Sequence, residues 1–209
     1  MDKPVIIIGA GGHAKVLYDS LRLLGVEILG MLDKCPPPSR QNGNLPIIGD
    51  DSAISAYSND AVELVNGLGS VGDTALRASI YYKFKKLGYG FRQVIHPAAI
   101  IASDCILGEG VQVMAGAVVN TGTKIAEDSI INTRAVVDHD CVIGSHVHIA
   151  PGAILSGGVQ VGDGSHIGTG ATVIQGVSIG SNALVGAGAV VVNDVPSGAK
   201  VVGVPAKAM

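Results

Sequence analysis

From Ile95 to Val191 every sixth residue is aliphatic. The series opens Ile95, Ile101, Leu107, Val113 and runs unbroken through Ile149, Leu155 and Val161 to Val185 and Val191. Four residues after each stop sits a short side chain, beginning Ala99, Cys105, Val111, Ala117 and ending Ala183, Ala189, Val195. Helices repeat near 3.6 residues and plain strands near 2, so a period of six belongs to neither. It predicts a parallel β-helix in which each hexad supplies one short strand and one corner. Three hexads close a triangular coil of 18 residues, with the aliphatic residue pointing into the prism and the small one sitting where the chain turns. Seventeen hexads make between five and six coils, stacked about 4.8 Å apart. Such a solenoid buries its core only by stacking.

Residues 1–92 follow another pattern. Val5-Ile6-Ile7-Ile8 is a continuous apolar run ending in Gly9-Ala10-Gly11-Gly12, which predicts a buried parallel strand. A helix is predicted over 13–24, with Val16, Leu17, Ser20, Leu21 and Leu24 on one face. A strand over 27–33, a Pro/Asn/Gly-rich loop over 34–46, a short helix over 50–57, a strand over 61–66 and a helix over 73–87 follow. A fourth strand over 91–95 runs toward the solenoid, and His96-Pro97 marks the junction. Alternating β and α elements predict a small Rossmann-like parallel sheet with helices on both faces. The chain therefore divides into an α/β domain, 1–92, and an all-β parallel β-helix with a tail, 93–209. In the tail, Pro196-Ser197-Gly198 makes a turn and 201–206 a last strand.

Gly9-x-Gly11-x-x-Ala14, with Asp33 after the second strand, satisfies the dinucleotide fingerprint. The glycines let backbone approach a phosphate at a helix N-terminus. A nicotinamide dehydrogenase needs two such halves and a hydride site. One half-sized unit before a solenoid keeps the nucleotide and drops the nicotinamide chemistry.

Composition adds boundaries. Aromatic residues are 3% and Trp is absent, which suits a narrow prism, and the 30 glycines suit corners that need positive φ. Hydrophobic content is 47% and mean hydropathy +0.44, yet no apolar run reaches the length of a membrane span. Asp2 and Lys3 lead straight into a strand, so no signal peptide is expected and the location expected is cytoplasmic. A net charge of −3 makes no case for nucleic acid. Of the three cysteines, Cys35, Cys105 and Cys141, the last two fall on inward small positions of the hexad pattern, so they read as core residues and not as disulfides or ligands. No Cys/His pattern calls for a metal.

Three segments together carry a family resemblance: Gly9-Ala10-Gly11-Gly12-His13-Ala14-Lys15, Asp138-His139-Asp140-Cys141-Val142-Ile143-Gly144 and Val202-Gly203-Val204-Pro205-Ala206-Lys207. They resemble the NeuD/PglD-like sugar acetyltransferases, over essentially the whole chain. The resemblance implies a left-handed β-helix, an acetyl-CoA co-substrate and a homotrimer. It further implies acetylation of the 4-amino group of a nucleotide-linked 4-amino-4,6-dideoxy sugar for surface polysaccharide or glycoprotein glycans. Gly11, Gly12 and His13 would approach the pyrophosphate or sugar, Asp33 the base, and Gly69 would lie nearby. Lys34 stands where a second acidic residue occurs in the best-known, UDP-using subgroup, so UDP is the expected carrier with dTDP and GDP open.

His139 is the candidate general base, at a coil corner and pointing outward. Asp140, or less favoured Asp138, is the carboxylate that raises its basicity. His148 lies nine residues on, half a coil away, so the two leave opposite sides of the prism and meet only if prisms pack side by side. By resemblance His148 touches acetyl-CoA, Asn132 lies near the base, and Gly157, Thr169 and Ala187 line the coenzyme. Gly157 is also one coil from His139, where a side chain would block the groove, and its amide is a candidate oxyanion donor. Lys200, and the Pro205-Ala206-Lys207 segment, are expected near the coenzyme. His146 and His166 project outward and are given no chemistry. O-acetylation of sialic acid or a related sugar, and a non-catalytic trimeric scaffold, are the competing functions.

Overall fold

The computed structural model describes residues 3–34 and 46–209. The N-terminal module contains β1 (Val5–Ile8), α1 (Gly12–Leu23), β2 (Ile28–Leu32), β3 (Ile47–Gly49), a 3-10 turn (Asp51–Ala56), β4 (Glu63–Asn66) and α2 (Ala75–Lys86). All four strands are parallel, in the order β3-β2-β1-β4. The four residues of β1 are buried because both neighbours and both faces cover them. The chain leaves β1 toward β2 on one side and returns to β4 on the other. A crevice therefore opens at the carboxyl end of β1.

Three details depart from the sequence reading. α1 buries Ala14, Leu17, Ser20 and Leu21, while Val16 and Leu24 are exposed. Ala14 is drawn in because it abuts Gly67, where an added Cβ would lie 2.9 Å from its own. The short strand β3 was not foreseen, since three residues carry too little alternation to show. The strand expected over 91–95 is divided: Phe91 makes one bridge to Leu64, and Val94–Ile95 pairs with Gln112–Val113 in the solenoid. Cys35 and most of the expected loop over 34–46 lie outside the described residues.

From Val94–Ile95 to Val190–Val191 the chain forms two-residue strands at six-residue intervals, stacked in parallel into three sheets; with the C-terminal hairpin added to one of them these have eight, six and five strands. Each strand pairs with the one 18 residues away, as Ile130 with His148 and Ile131 with Ile149. The inward column is aliphatic and almost fully buried, from Val113 through Ile149 to Val185. Every sixth residue from Gly110 to Gly188 has φ between 54 and 72°. Most are glycine. The exceptions are Asp128, Arg134, Asp140, His146 and Asn182, largely the short polar types that tolerate left-handed backbone. Cys105 and Cys141 sit in the inward register, each thiol directed at a backbone carbonyl. In the tail the expected single strand is a hairpin, Lys200–Val202 against Lys207–Ala208.

The α/β module lies on the eight-stranded face. Outward residues Gln112, Ile130, His148 and His166 of that face are buried by it. The joint is polar at its centre. Arg77 of α2 and Asp128 at a solenoid corner are 1% and 0% exposed and pair at 2.8 Å. Arg77 also donates to the carbonyls of Asn66, Leu68 and Asp128. Asn66 and His146 complete the shell of the Asp128 carboxylate. Asp128→Asn keeps the shape and leaves a guanidinium buried without its counter-charge, a situation that costs about 3–5 kcal/mol. Urea denaturation of the variant is expected to show a loss of that order. A loss below about 1 kcal/mol, the scale of an exposed pair, contradicts this account.

Candidate active site

At the carboxyl end of β1 lies a cavity of about 640 Å³, lined by Gly9 to His13, Val16, Asp33, Gly67 to Val71, Leu76, Asn132 and His148. Its glycines differ in kind. Gly9 has φ 89° and Gly67 would press a Cβ onto Ile8 O at 2.6 Å, so the fold itself demands them. Gly11 has φ −77°, and a Cβ on Gly11 or Gly12 would meet nothing within 4 Å. No packing constraint excludes a side chain there. What glycine leaves open is cavity space beside the first N–H groups of α1, suited to an anion.

Asp33 Oδ2 accepts from Ala10 N at 2.7 Å and so ties the end of β2 to the glycine loop. His13 Nε2 lies 2.7 Å from Gln112 Oε1, and Gln112 Nε2 donates to Asn66 O. Burial, then the charge of Arg77, lowers the His13 pKa to about 4 against the pull of Gln112. Lys34 lines a smaller adjoining cavity and pairs with Asp51 at 3.3 Å. Gly69 is exposed, with its Cβ position 3.2 Å from that of His13.

His148 sits on the floor. Its Nδ1 is 3.1 Å from Ser70 O, an acceptor, so Nδ1 carries the proton and donates. Nε2 then accepts from Asn132 Nδ2 at 2.9 Å, while Asn132 Oδ1 takes Thr133 N–H. The imidazole is neutral and fixed in one tautomer. Burial is the main cause, followed by His166, His13 and Arg77, and together they lower its pKa to about 3. His166 packs edge-on against it, ring centres 4.9 Å apart. His146 and His166 do leave the prism outward, as expected, yet both are covered by the α/β module.

His139 occupies another edge altogether. Its side chain is 48% exposed and that of Asp140 72%. His139 Nδ1 lies 2.9 Å from Asp140 Oδ2. This contact chiefly raises the imidazole pKa above its ordinary value, against a small opposing desolvation. Asp138 takes the backbone role: Oδ1 accepts from His139 N at 2.8 Å and from Asn120 Nδ2 at 2.7 Å. The ring lies against the next coil, where a Cβ on Gly157 would be 2.5 Å from both Cε1 and Nε2. Gly157 N–H has no partner among the described residues. Thr169 and Ala187 are exposed at the next corner, stacked one coil apart.

The structure thus gathers Gly11, Gly12, His13, Asp33, Gly69, Asn132 and His148 at one cavity, and His139, Asp140 and Gly157 at one corner. Within the chain Asn132 bonds His148, not His139. Ser70, Gln112 and Asn120 were missed. The one available signal was spacing: Gln112 and His148 share the outward register of the eight-stranded face at multiples of 18.

Residues 4–84 match the family described as PglD N-terminal domain, and residues 122–157 match bacterial transferase hexapeptide, six repeats. The acetyltransferase domain of PglB from Neisseria gonorrhoeae FA1090 is 38% identical over 100% of both chains, with a TM-score of 0.92. The same domain is also solved with acetyl coenzyme A. PerB from Caulobacter crescentus, solved with CoA and GDP-perosamine, is 41% identical over 100% of this chain and 98% of its own, TM-score 0.90. WeeI from Acinetobacter baumannii AYE is 26% identical over 100% of both, TM-score 0.83. An α/β module seated on a prism of stacked hexads is the build of a sugar acyltransferase with a left-handed β-helix. The chain belongs to the NeuD/PglD-like sugar acetyltransferases.

The neutral histidines give this site an acid limit. Unfolded imidazole protonates near 6.5, whereas folded His148 and His13 resist until about 3 and 4. Stability is therefore full above pH 6.5 and falls as pH drops below it, because the unfolded chain binds protons that the folded one refuses. The melting temperature is expected to decline from pH 6.5 to 4.5, with a gentler slope in His148→Gln. Equal slopes in the two proteins contradict the assignment.

Proposed function

We propose that the protein transfers the acetyl group of acetyl-CoA to the 4-amino group of a nucleotide-linked 4-amino-4,6-dideoxy sugar, with His139 as general base. The observation that carries this is the His139–Asp140 pair laid over Gly157. It is a half-exposed imidazole with Nδ1 engaged by a carboxylate and Nε2 lying over Gly157, where only the lack of a side chain leaves room beside it. Nε2 takes a proton from the attacking amine as the C–N bond forms. The tetrahedral oxyanion meets Gly157 N–H. As the C–S bond breaks, the imidazolium returns the proton to the departing sulfur of CoA. Both substrates are held in line, so the reaction needs no covalent enzyme intermediate.

The acceptor lies in the cavity, its diphosphate against Gly11, Gly12 and His13. UDP is the carrier expected from resemblance; GDP is the one held by PerB. The cavity and the His139 corner occupy different edges of one prism, so the site is completed by a second copy in a homotrimer. The six-stranded face supports this. Its outward column is Ile100, Val118, Val136, Ile154, Thr172 and Val190, and Ile100 and Ile154 are 66% and 44% exposed. No α/β module covers it, and an aliphatic stripe of that length suits a like surface. Acetyl-CoA runs along the seam past Gly157, Thr169 and Ala187, with His148 beneath.

His139→Ala is expected to lower kcat by at least about 100-fold with both substrates still bound by calorimetry, the scale of a lost general base. Turnover within twofold of the parent removes His139 from the reaction. Free sialic acid, offered as a competing acceptor, is expected to give no product. Asp140→Asn removes the interaction that raises the His139 pKa. The acid limb of its kcat/KM profile is expected to move to lower pH, with a reduced plateau; an unmoved limb excludes the pair.

A further inference from the structure

We infer that Arg134 is a positioning residue acting across the seam between two copies, its guanidinium pairing with the carboxylate of the partner subunit's Asp138; this rests on the homotrimer and the His139 base proposed above. Arg134 is exposed and holds a left-handed φ of 56°. Its corner column is otherwise glycine from 116 to 188, with Gly116, Gly152, Gly170 and Gly188 at φ between 66 and 69°. The other four left-handed non-glycines are Asp, Asn or His, the types that tolerate this backbone. A long side chain at such a corner carries strain that the turn does not need. Among the described residues the Arg134 guanidinium has no hydrogen-bond or ion-pair partner. A strained cation without a partner in its own chain points to one outside it.

Its place in the coil says where. The Arg134 corner joins Ile130–Ile131 of the eight-stranded sheet to Val136–Val137 of the six-stranded sheet. The next corner joins Val136–Val137 to Val142–Ile143 of the five-stranded sheet, and it carries Asp138, His139 and Asp140. The two corners therefore bound the same six-stranded face. With that face turned to a threefold axis, the first corner of each copy lies against the second corner of the next. Rotation about an axis along the prism shifts nothing along it, so residues of one coil meet at one height. The side chains agree. Arg134 Cγ lies 3.3 Å from where a Cβ on Gly116 would stand, and Asp140 leans over Gly122. Asp138 Oδ1 accepts from Asn120 Nδ2 at 2.7 Å. All three reach toward the preceding coil. Asn132, two residues before Arg134, lines the cavity, so Arg134 stands on the acceptor's side of the seam.

The two carboxylates beside His139 are not equally available. Asp140 Oδ2 holds the imidazole. Asp138 Oδ1 holds His139 N–H and Asn120, and its Oδ2 has no partner among the described residues. A guanidinium on that oxygen steadies Asp138, and through it the backbone of His139, while Asp140 keeps the ring. It also sets a cation near the imidazole, which disfavours the imidazolium. Within one chain the groups facing His139 are Asp138 and Asp140 on its own corner and Gly157 on the following coil. The preceding coil brings Asn120 and Thr121, with Asp104 behind Thr121. Arg134 of the neighbouring copy adds the opposing charge.

Arg134→Gly installs the residue that the column otherwise carries, so folding is not at risk. Turnover is measured with acetyl-CoA and the parent's best acceptor among UDP-, dTDP- and GDP-linked 4-amino-4,6-dideoxy sugars. The variant is expected to lose about tenfold in kcat with both KM values nearly unchanged. The acid limb of its kcat/KM profile is expected to move to higher pH, because the cation that opposed the imidazolium is gone. Parental kcat and an unmoved limb overturn the inference and leave the acetyltransferase reading standing. A raised KM with kcat kept marks Arg134 as a phosphate ligand and overturns the pairing with Asp138. Co-expression supplies the second test. Arg134→Glu chains mixed with His139→Ala chains form trimers in which about one seam in four joins an intact Arg134 to an intact His139. Turnover is expected to rise well above that of either variant alone. No rise overturns action across the seam. A parent that acetylates none of the three sugars overturns the nucleotide-sugar reading itself.

Discussion

The ion pair between Arg77 and Asp128 sets where the two halves of the molecule meet, and most of the site follows from that position. Both groups are fully enclosed. Burial pushes the guanidinium pKa down and the carboxylate pulls it back up. Dry burial of either charge alone is prohibitive, so the joint tolerates one register. The same guanidinium holds the carbonyls of Asn66 and Leu68. It therefore shapes the segment that carries Gly67, Gly69 and Ser70 into the cavity. Ser70 in turn meets His148, and Gln112 meets His13. Docking and site assembly are one polar network.

Environment divides the histidines into two kinds. His13 and His148 lose their charge through burial and serve as fixed hydrogen-bonding groups. His139 keeps access to solvent and gains basicity from a carboxylate. The β-helix supplies both settings from one repeat, because outward positions on the eight-stranded face are covered and the corner that carries His139 is not. The left-handed corner adds a second device. Glycine fills most of these corners. Asp128, Asp140 and His146 occupy others where a side chain is used: Asp128 for Arg77, Asp140 for His139 and His146 for Asp128. At these three of the five non-glycine corners the left-handed strain coincides with a polar task.

Much of the fold was legible because a prism repeats. The aliphatic and small registers are set by inward geometry that recurs every coil, so seventeen hexads stated one message many times. The first strand and its glycine loop were equally plain. The buried face of α1 was not, since Val16 is as apolar as Leu17 and only the closeness of Gly67 to Ala14 decides which turns inward. The His139–Asp140–Gly157 corner was readable because its members are one residue or one coil apart. The partners of His148 were not readable: Ser70 lies 78 residues away, on the other module.

The sequence by itself determined the repeating prism, the strand and glycine turn before it, and the candidate base with its carboxylate, because each depends on contacts close in the chain or on a fixed period. Tertiary structure alone decided which face the α/β module covers, hence which histidines are dry and neutral and which is wet and basic. The reason is physical. Burial and paired charge depend on what arrives from distant segments, and Arg77 finding Asp128 is an event no local pattern encodes.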